Sequence, residues 1–186
     1  MSYPTNWYWL ADDGRLFSSA SETLVAADDP AYVAWDATYD ATPWPVDDAG
    51  NQTNASLQAV LTPYDIFCDL TAYSAYARYN HASGGVKITS LSAVPFLTDP
   101  TSRNTVNSAY QYAVANPAHI THWKMSDGSF VQLNNTQIAT VNNDITDFVQ
   151  KCFNCESTTL TGIDGGTITT MAQIDSAYAA ISNVYP

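Results

Sequence analysis

The segment from His119 to Ile163 constrains the fold more than any other part of the chain. It reads as a short strand, a tight turn at Ser126-Asp127-Gly128, a second strand ending at Leu133, and then one long helical pattern. That pattern places Ile138, Val141, Ile145, Phe148, Val149, Cys152 and Phe153 along one broad side. Asn134 with Gln137 three residues on is a capping box that fixes where the helix starts. A hairpin and an adjoining amphipathic helix each carry one apolar face, and both faces leave water when the helix docks on the hairpin. We therefore expect an α+β protein: a small aromatic β-rich N-terminal module followed by a β-hairpin packed on amphipathic helices.

The rest of the chain is read around that anchor. Residues 6–18 suggest a hairpin turning at Asp12-Asp13-Gly14, with Trp7 and Trp9 on one face, and Thr23–Ala26 suggests a third short strand. Asp28-Asp29-Pro30 supplies a cap and a first-turn proline for a helix over Ala31–Ala37, where Tyr32 and Trp35 share a side. The prolines, glycine and acids between Ala41 and Asn51 read as a loop. Thr53 or Asn54 caps a helix to Leu61, and a second helical run spans Asp65–Asn80 with Ile66, Leu70, Tyr73 and Ala77 in register. Composition changes at Gly84-Gly85, so we expect an N-terminal module over 1–64, a connecting helix and glycine linker over 65–84, and a C-terminal α+β domain over 85–186. Within the last, Val86–Thr89 and Pro95–Leu97 are strand candidates. Thr101–Ala115 is a helix with an apolar stripe of Val106, Ala109, Tyr110, Ala113 and Val114. Gly162 and Gly165-Gly166 break the long helix, and a final helix spans Thr167–Val184.

Composition excludes several functions. The net charge is −12, and the six cations (Arg15, Arg78, Lys87, Arg103, Lys124, Lys151) are scattered singly, so no basic footprint for nucleic acid or for an anionic membrane surface exists. Residues 1–6 lack a positive region followed by an apolar one, and no apolar run is long enough to span a bilayer, so we expect a chain that stays soluble. Hydrophobic residues make up 46% of the chain, with five Trp and twelve Tyr, which leaves aromatic surface for contacts beyond a core.

Candidate chemistry is sparse. No nucleophile elbow, phosphate loop, dinucleotide fingerprint or His-Glu-x-x-His motif occurs, and we assign no catalytic residue, cofactor or metal. Cys152 and Cys155 are one helical turn apart, but two ligands do not make a zinc site, and His119 and His122 in an extended segment point to opposite faces. With Cys68 they read as buried free thiols. The pairs Asp12-Asp13, Asp28-Asp29 and Asp47-Asp48 sit where turns and caps need acceptors. Trp7, Trp9, Trp35 and Trp44 would serve as core or protein contact, with a sugar-stacking groove as the rival use. Trp123, Phe148 and Phe153 complete the set of packing and interface candidates.

Several blocks then resemble a known family. Thr98-Asp99-Pro100, His122-Trp123-Lys124-Met125-Ser126-Asp127-Gly128, Phe130-Val131-Gln132-Leu133, Phe148-Val149-Gln150-Lys151-Cys152-Phe153 and Glu156 are similar to a domain of unknown function attached to tailed-phage tail-fibre proteins. Trp9–Phe17 and Trp44–Asp47 resemble N-terminal modules of short proteins found beside phage tail-fibre genes. The resemblance implies a non-enzymatic virion component at the tail fibres or baseplate, assembled in the host cytoplasm, repeated in symmetric copies and contacting other tail proteins. An assembly chaperone released from the particle is one alternative, and a module that binds host glycans is another. Low Lys and Glu with abundant Ala, Thr, Asn and Tyr favours the lasting virion part.

Overall fold

The computed structural model describes residues 6–186. Residues 1–5, read above for a targeting signal, lie outside the described residues. The chain is α+β and divides into two compact units, residues 1–73 and 74–186.

In the first unit, β1 (Tyr8–Leu10), β2 (Leu16–Ser18), β3 (Thr23–Val25) and β4 (Thr42–Pro43) form one sheet in the order β3-β2-β1-β4. Its first turn needs Gly14, whose φ of 88° lies in the left-handed region that a side chain disfavours. The stretch read as a loop after Ala41 contributes β4, which pairs parallel with β1; Pro43 is tolerated because β4 is an edge strand with no further partner. Strand alternation sends Trp9 into one buried cluster with Phe17, Trp44, Leu57 and Leu61, and Tyr8 into another with Leu16 and Trp35. Trp7 packs against both. Helices α1 (Pro30–Asp36) and α2 (Asn54–Leu61) begin where the caps foretold: Asp29 accepts from the N–H groups of Ala31 and Tyr32, and Thr53 forms a reciprocal box with Ser56.

The helix expected from Asp65 starts later, as α3 (Leu70–Ser83). A 3-10 turn at Thr62–Tyr64 precedes it, and Asp65 takes a left-handed φ of 55°, which cannot open an α-helix. The backbone beyond is held by side chains. The Cys68 N–H donates to Gln58 Oε1 at 2.8 Å, the Phe67 N–H to Glu22 at 3.1 Å, and the Thr71 N–H to Asp69 Oδ1 at 2.8 Å. The unit boundary falls inside α3. From Ser74 onward the expected connecting helix contributes core instead of linker, with Ser74 and Ala82 buried.

In the second unit, α4 (Pro100–Ala115) is capped by Asp99. A hairpin of β6 (Thr121–Lys124) and β7 (Phe130–Leu133) turns at Gly128, and α5 (Asn135–Asp164) follows with the Asn134–Gln137 box formed in both directions. Pairing of Thr121 with Leu133 and of Trp123 with Val131 gives the hairpin an inner face that meets the helical core. Val106, Leu133, Ile138, Val141, Ile145, Phe148 and Cys152 fill that core. Two members of the anticipated stripes do not join it: Val114 and Phe153, each at the edge of its helix's apolar arc, are 56% and 43% exposed.

Three further expectations are corrected. Gly162 does not break α5 but lies within it; a Cβ there would stand 2.8 Å from Ile168 Cδ1, so glycine admits the chain crossing back over the helix. The last helix is only α6 (Met171–Ala179), and Val184–Tyr185 becomes strand β8, parallel to β5 (Lys87–Ile88). Of the strand candidates Val86–Thr89 and Pro95–Leu97, β5 keeps two residues and the second run reduces to a Val86–Phe96 bridge. The sequence period could not reveal these pairings, because β5 and β8 are almost a hundred residues apart.

Candidate contact surfaces and a helical groove

The aromatic candidates of the first unit are chiefly core. Trp9 and Trp44 are 1% and 2% exposed, and Trp44 donates its indole N–H to the Thr53 carbonyl at 2.8 Å while the Arg15 guanidinium lies 4.6 Å from its ring centre. Rings so enclosed offer no face to a sugar. Trp35 is also buried, with Trp7 edge-on at 5.0 Å, Tyr8 at 4.9 Å and Tyr39 at 5.4 Å. Among the described residues of this aromatic cluster, Trp7, Tyr32 and Tyr39 at its rim meet water. Tyr32 keeps its proton more tightly than usual, first from burial and then from its hydrogen bond with Asp36.

Sequence reasoning missed the buried amide of Gln58. It donates to the Ile66 carbonyl at 2.9 Å and to Thr62 Oγ1 at 3.1 Å, and accepts from the N–H groups of Cys68 and Asp69. A lone Gln in a helix gives no sign of such a role.

In the second unit Phe148 is fully buried and Trp123 half-buried against the same core, while Phe153, five residues on, is 43% exposed. The Arg78 guanidinium covers part of the Phe153 ring at 4.7 Å and pairs with Glu156 at 3.2 Å, tying α3 to α5. Tyr178 on α6 donates to the Ser74 carbonyl at 3.2 Å, and burial pushes its phenol up to about 12. At the C-terminal strand, Asp147 accepts from the Tyr185 hydroxyl and from Lys151, each at 2.6 Å, which holds its carboxyl below the ordinary value.

All three cysteines are free thiols, but only Cys152 is buried; Cys68 and Cys155, expected to be buried as well, are partly exposed. Burial, with Asp69 second, pushes Cys68 up to about 12, and burial, with Cys155 second, pushes Cys152 up to about 11, so both stay protonated at neutral pH. His81 contacts the Ile181 carbonyl at 3.2 Å, His119 lies edge-on to Tyr112 at 4.8 Å, and His122 projects from the outer hairpin face. Among the described residues no group of three or more His, Cys, Asp or Glu is placed to hold a metal ion, and no helix is long and apolar enough to cross a membrane.

Two surfaces of the second unit stand out among the described residues. The outer hairpin face presents His122, Lys124, Gln132 and Phe130, the last 66% exposed. Between α4 and α5 runs a groove of about 540 Å³ with Val106, Ile145 and Val149 as its floor and Tyr110 and Phe153 among its lining rings.

The chain is thus an α+β protein whose second unit packs helices on the β6-β7 hairpin. Residues 69–182 match the family described as a domain of unknown function, DUF4376, and because that match covers more than half of the chain, the chain belongs to this family. Comparison with curated proteins finds no match, and comparison with solved structures finds none either.

Proposed function

We propose that the chain is a structural component of a phage tail, held at the fibres or baseplate by contacts with other tail proteins and repeated in symmetric copies. It acts by burying surface and has no catalytic part in this reading. The resemblance of its sequence blocks to domains attached to tail-fibre proteins carries the proposal. Two of the residues in those blocks that make the hairpin turn, Asp127 and Gly128, frame an outer face on which Phe130 is 66% exposed. A ring this bare is costly in water and is the kind of anchor that contact interfaces desolvate.

The test is quantitative mass spectrometry of washed, gradient-purified particles from the phage whose genome encodes the chain. A fixed copy number per particle is the expected result. Absence from particles, together with presence in the infected-cell lysate, would favour the released chaperone. Phe130→Asp is expected to lower incorporation with little change in melting temperature, since the ring is 66% exposed.

A further inference from the structure

We infer that the groove between α4 and α5 is a binding site for a neutral oligosaccharide, which goes beyond the structural role proposed above. Its size lies within the range of about 300–1,000 Å³ typical of small-ligand sites. Its chemistry is unlike the rest of the chain: the protein carries 18 Asp and Glu, yet none lines the groove. Carboxamides take their place. Those of Asn104, Asn107, Gln111 and Asn142 make no hydrogen bond with a described residue, so their donors and acceptors are both available. Gln150 alone is engaged, donating to Asn154 at 3.0 Å.

A carboxamide offers N–H and C=O side by side, and a sugar hydroxyl both donates and accepts, so a row of free amides suits a polyol better than an ion. Carbohydrate C–H faces also need apolar or aromatic surface, which the rings of Tyr110 and Phe153 supply above a buried floor of Val106, Ile145 and Val149. Phe153 is braced by Arg78 over its ring, so it is oriented before a ligand arrives. Arg103 is the one charged lining residue and forms no ion pair with a described residue. One cation does not offset a net charge of −12 for a polyanionic chain, whereas it can donate to hydroxyls.

The experiment is saturation-transfer-difference NMR on the full chain. The probes are tetrasaccharides of glucose, mannose, galactose and N-acetylglucosamine, with tetragalacturonate as an acidic comparison, and dissociation constants follow by calorimetry. At least one neutral probe is expected to bind. The double variant Asn107→Ala with Asn142→Ala is expected to weaken it at least tenfold at an unchanged melting temperature. Phe130→Asp, on the hairpin, is expected to leave binding untouched and serves to separate this inference from the tail-contact reading. Binding of none of the neutral probes would overturn the inference, as would tighter binding of tetragalacturonate or equal binding by the double variant. If the double variant loses its fold, Asn107→Asp and Gln111→Glu replace it, with the same tenfold criterion.

Discussion

Phe148→Ala tests the docking of the long helix most sharply. The ring is fully buried in the core of the second unit, with His81 5.5 Å away between ring centres. Loss of a buried phenylalanine's transfer energy costs roughly 2 kcal/mol. If the walls hold, an unfilled ring volume of roughly 100 Å³ at about 24 cal/mol per Å³ adds about 2 kcal/mol more. The sum, about 4 kcal/mol, corresponds to a fall of about 15 °C in melting temperature for a unit of this size. Far-UV circular dichroism during heating reads it, because α5 alone holds 30 residues. Phe153→Ala is the control: the same ring on the same helix, 43% exposed, is expected to cost about 1 kcal/mol or less. Phe148→Leu, losing less volume, is expected to fall between the two. Equal shifts for Phe148→Ala and Phe153→Ala would refute the assignment of one ring to the core and the other to the surface.

Three other outcomes follow from the same packing. Gly162→Ala ought to gain helix propensity, yet the 2.8 Å approach of Ile168 makes it destabilising by about 1 kcal/mol net. In an Ile168→Ala background, which removes both Cδ1 and the Cγ1 at 2.9 Å, Gly162→Ala is expected to lose that penalty; a single Gly162→Ala variant more stable than the parent in thermal melts would contradict the close approach. Gln58→Leu leaves the Cys68 N–H and the Ile66 carbonyl unpartnered at a buried site and is expected to cost about 2–4 kcal/mol. Urea unfolding followed by tryptophan fluorescence reports it, since Trp7, Trp9, Trp35 and Trp44 all lie in that unit; a change under about 0.5 kcal/mol would show the amide is dispensable. Lys151 and the Tyr185 hydroxyl keep the Asp147 carboxyl below its ordinary 3.8. A depressed acid stabilises above its unfolded pKa and loses that contribution as pH falls through its folded one. The stability gap between the parent and Tyr185→Phe is therefore expected to be present at neutral pH and to close on acidification. A carboxyl titration by NMR with Asp147 unmoved by Tyr185→Phe would exclude the contact.

What the sequence disclosed and what it hid divide along the range of the interactions. Asp29 and Asn134 were legible as caps, and Thr53 as one of two candidates with Asn54, because a cap acts on backbone two or three residues away, and the structure has all three capping. The hairpin at Asp127-Gly128 was equally local. The start of α3 was not, since side chains of Glu22 and Gln58 hold the preceding backbone out of the helix. Val184–Tyr185 carry strand propensity but continue a helical period, and only the distant Lys87–Ile88 edge decides between them. Among the contact candidates, Trp9, Trp35, Trp44 and Phe148 turn out to be core, but residue size could not separate Phe148 from the 43% exposed Phe153 on the same apolar stripe, because only the packing around the helix decides which ring is covered. The groove was out of reach for a related reason. Its amides come from two helices about forty residues apart, and each amide by itself reads as an ordinary solvated side chain.

On the function we propose, this chain works by being held against its neighbours in a tail. An averaged cryo-electron image of intact particles, with this subunit traced, tests it directly. Density for the chain is expected at the fibres or baseplate, with the Phe130 face of the hairpin covered by an adjoining subunit. Particles that are complete and infective yet contain no copy of the chain, or copies whose hairpin face stands bare to solvent throughout, would contradict it.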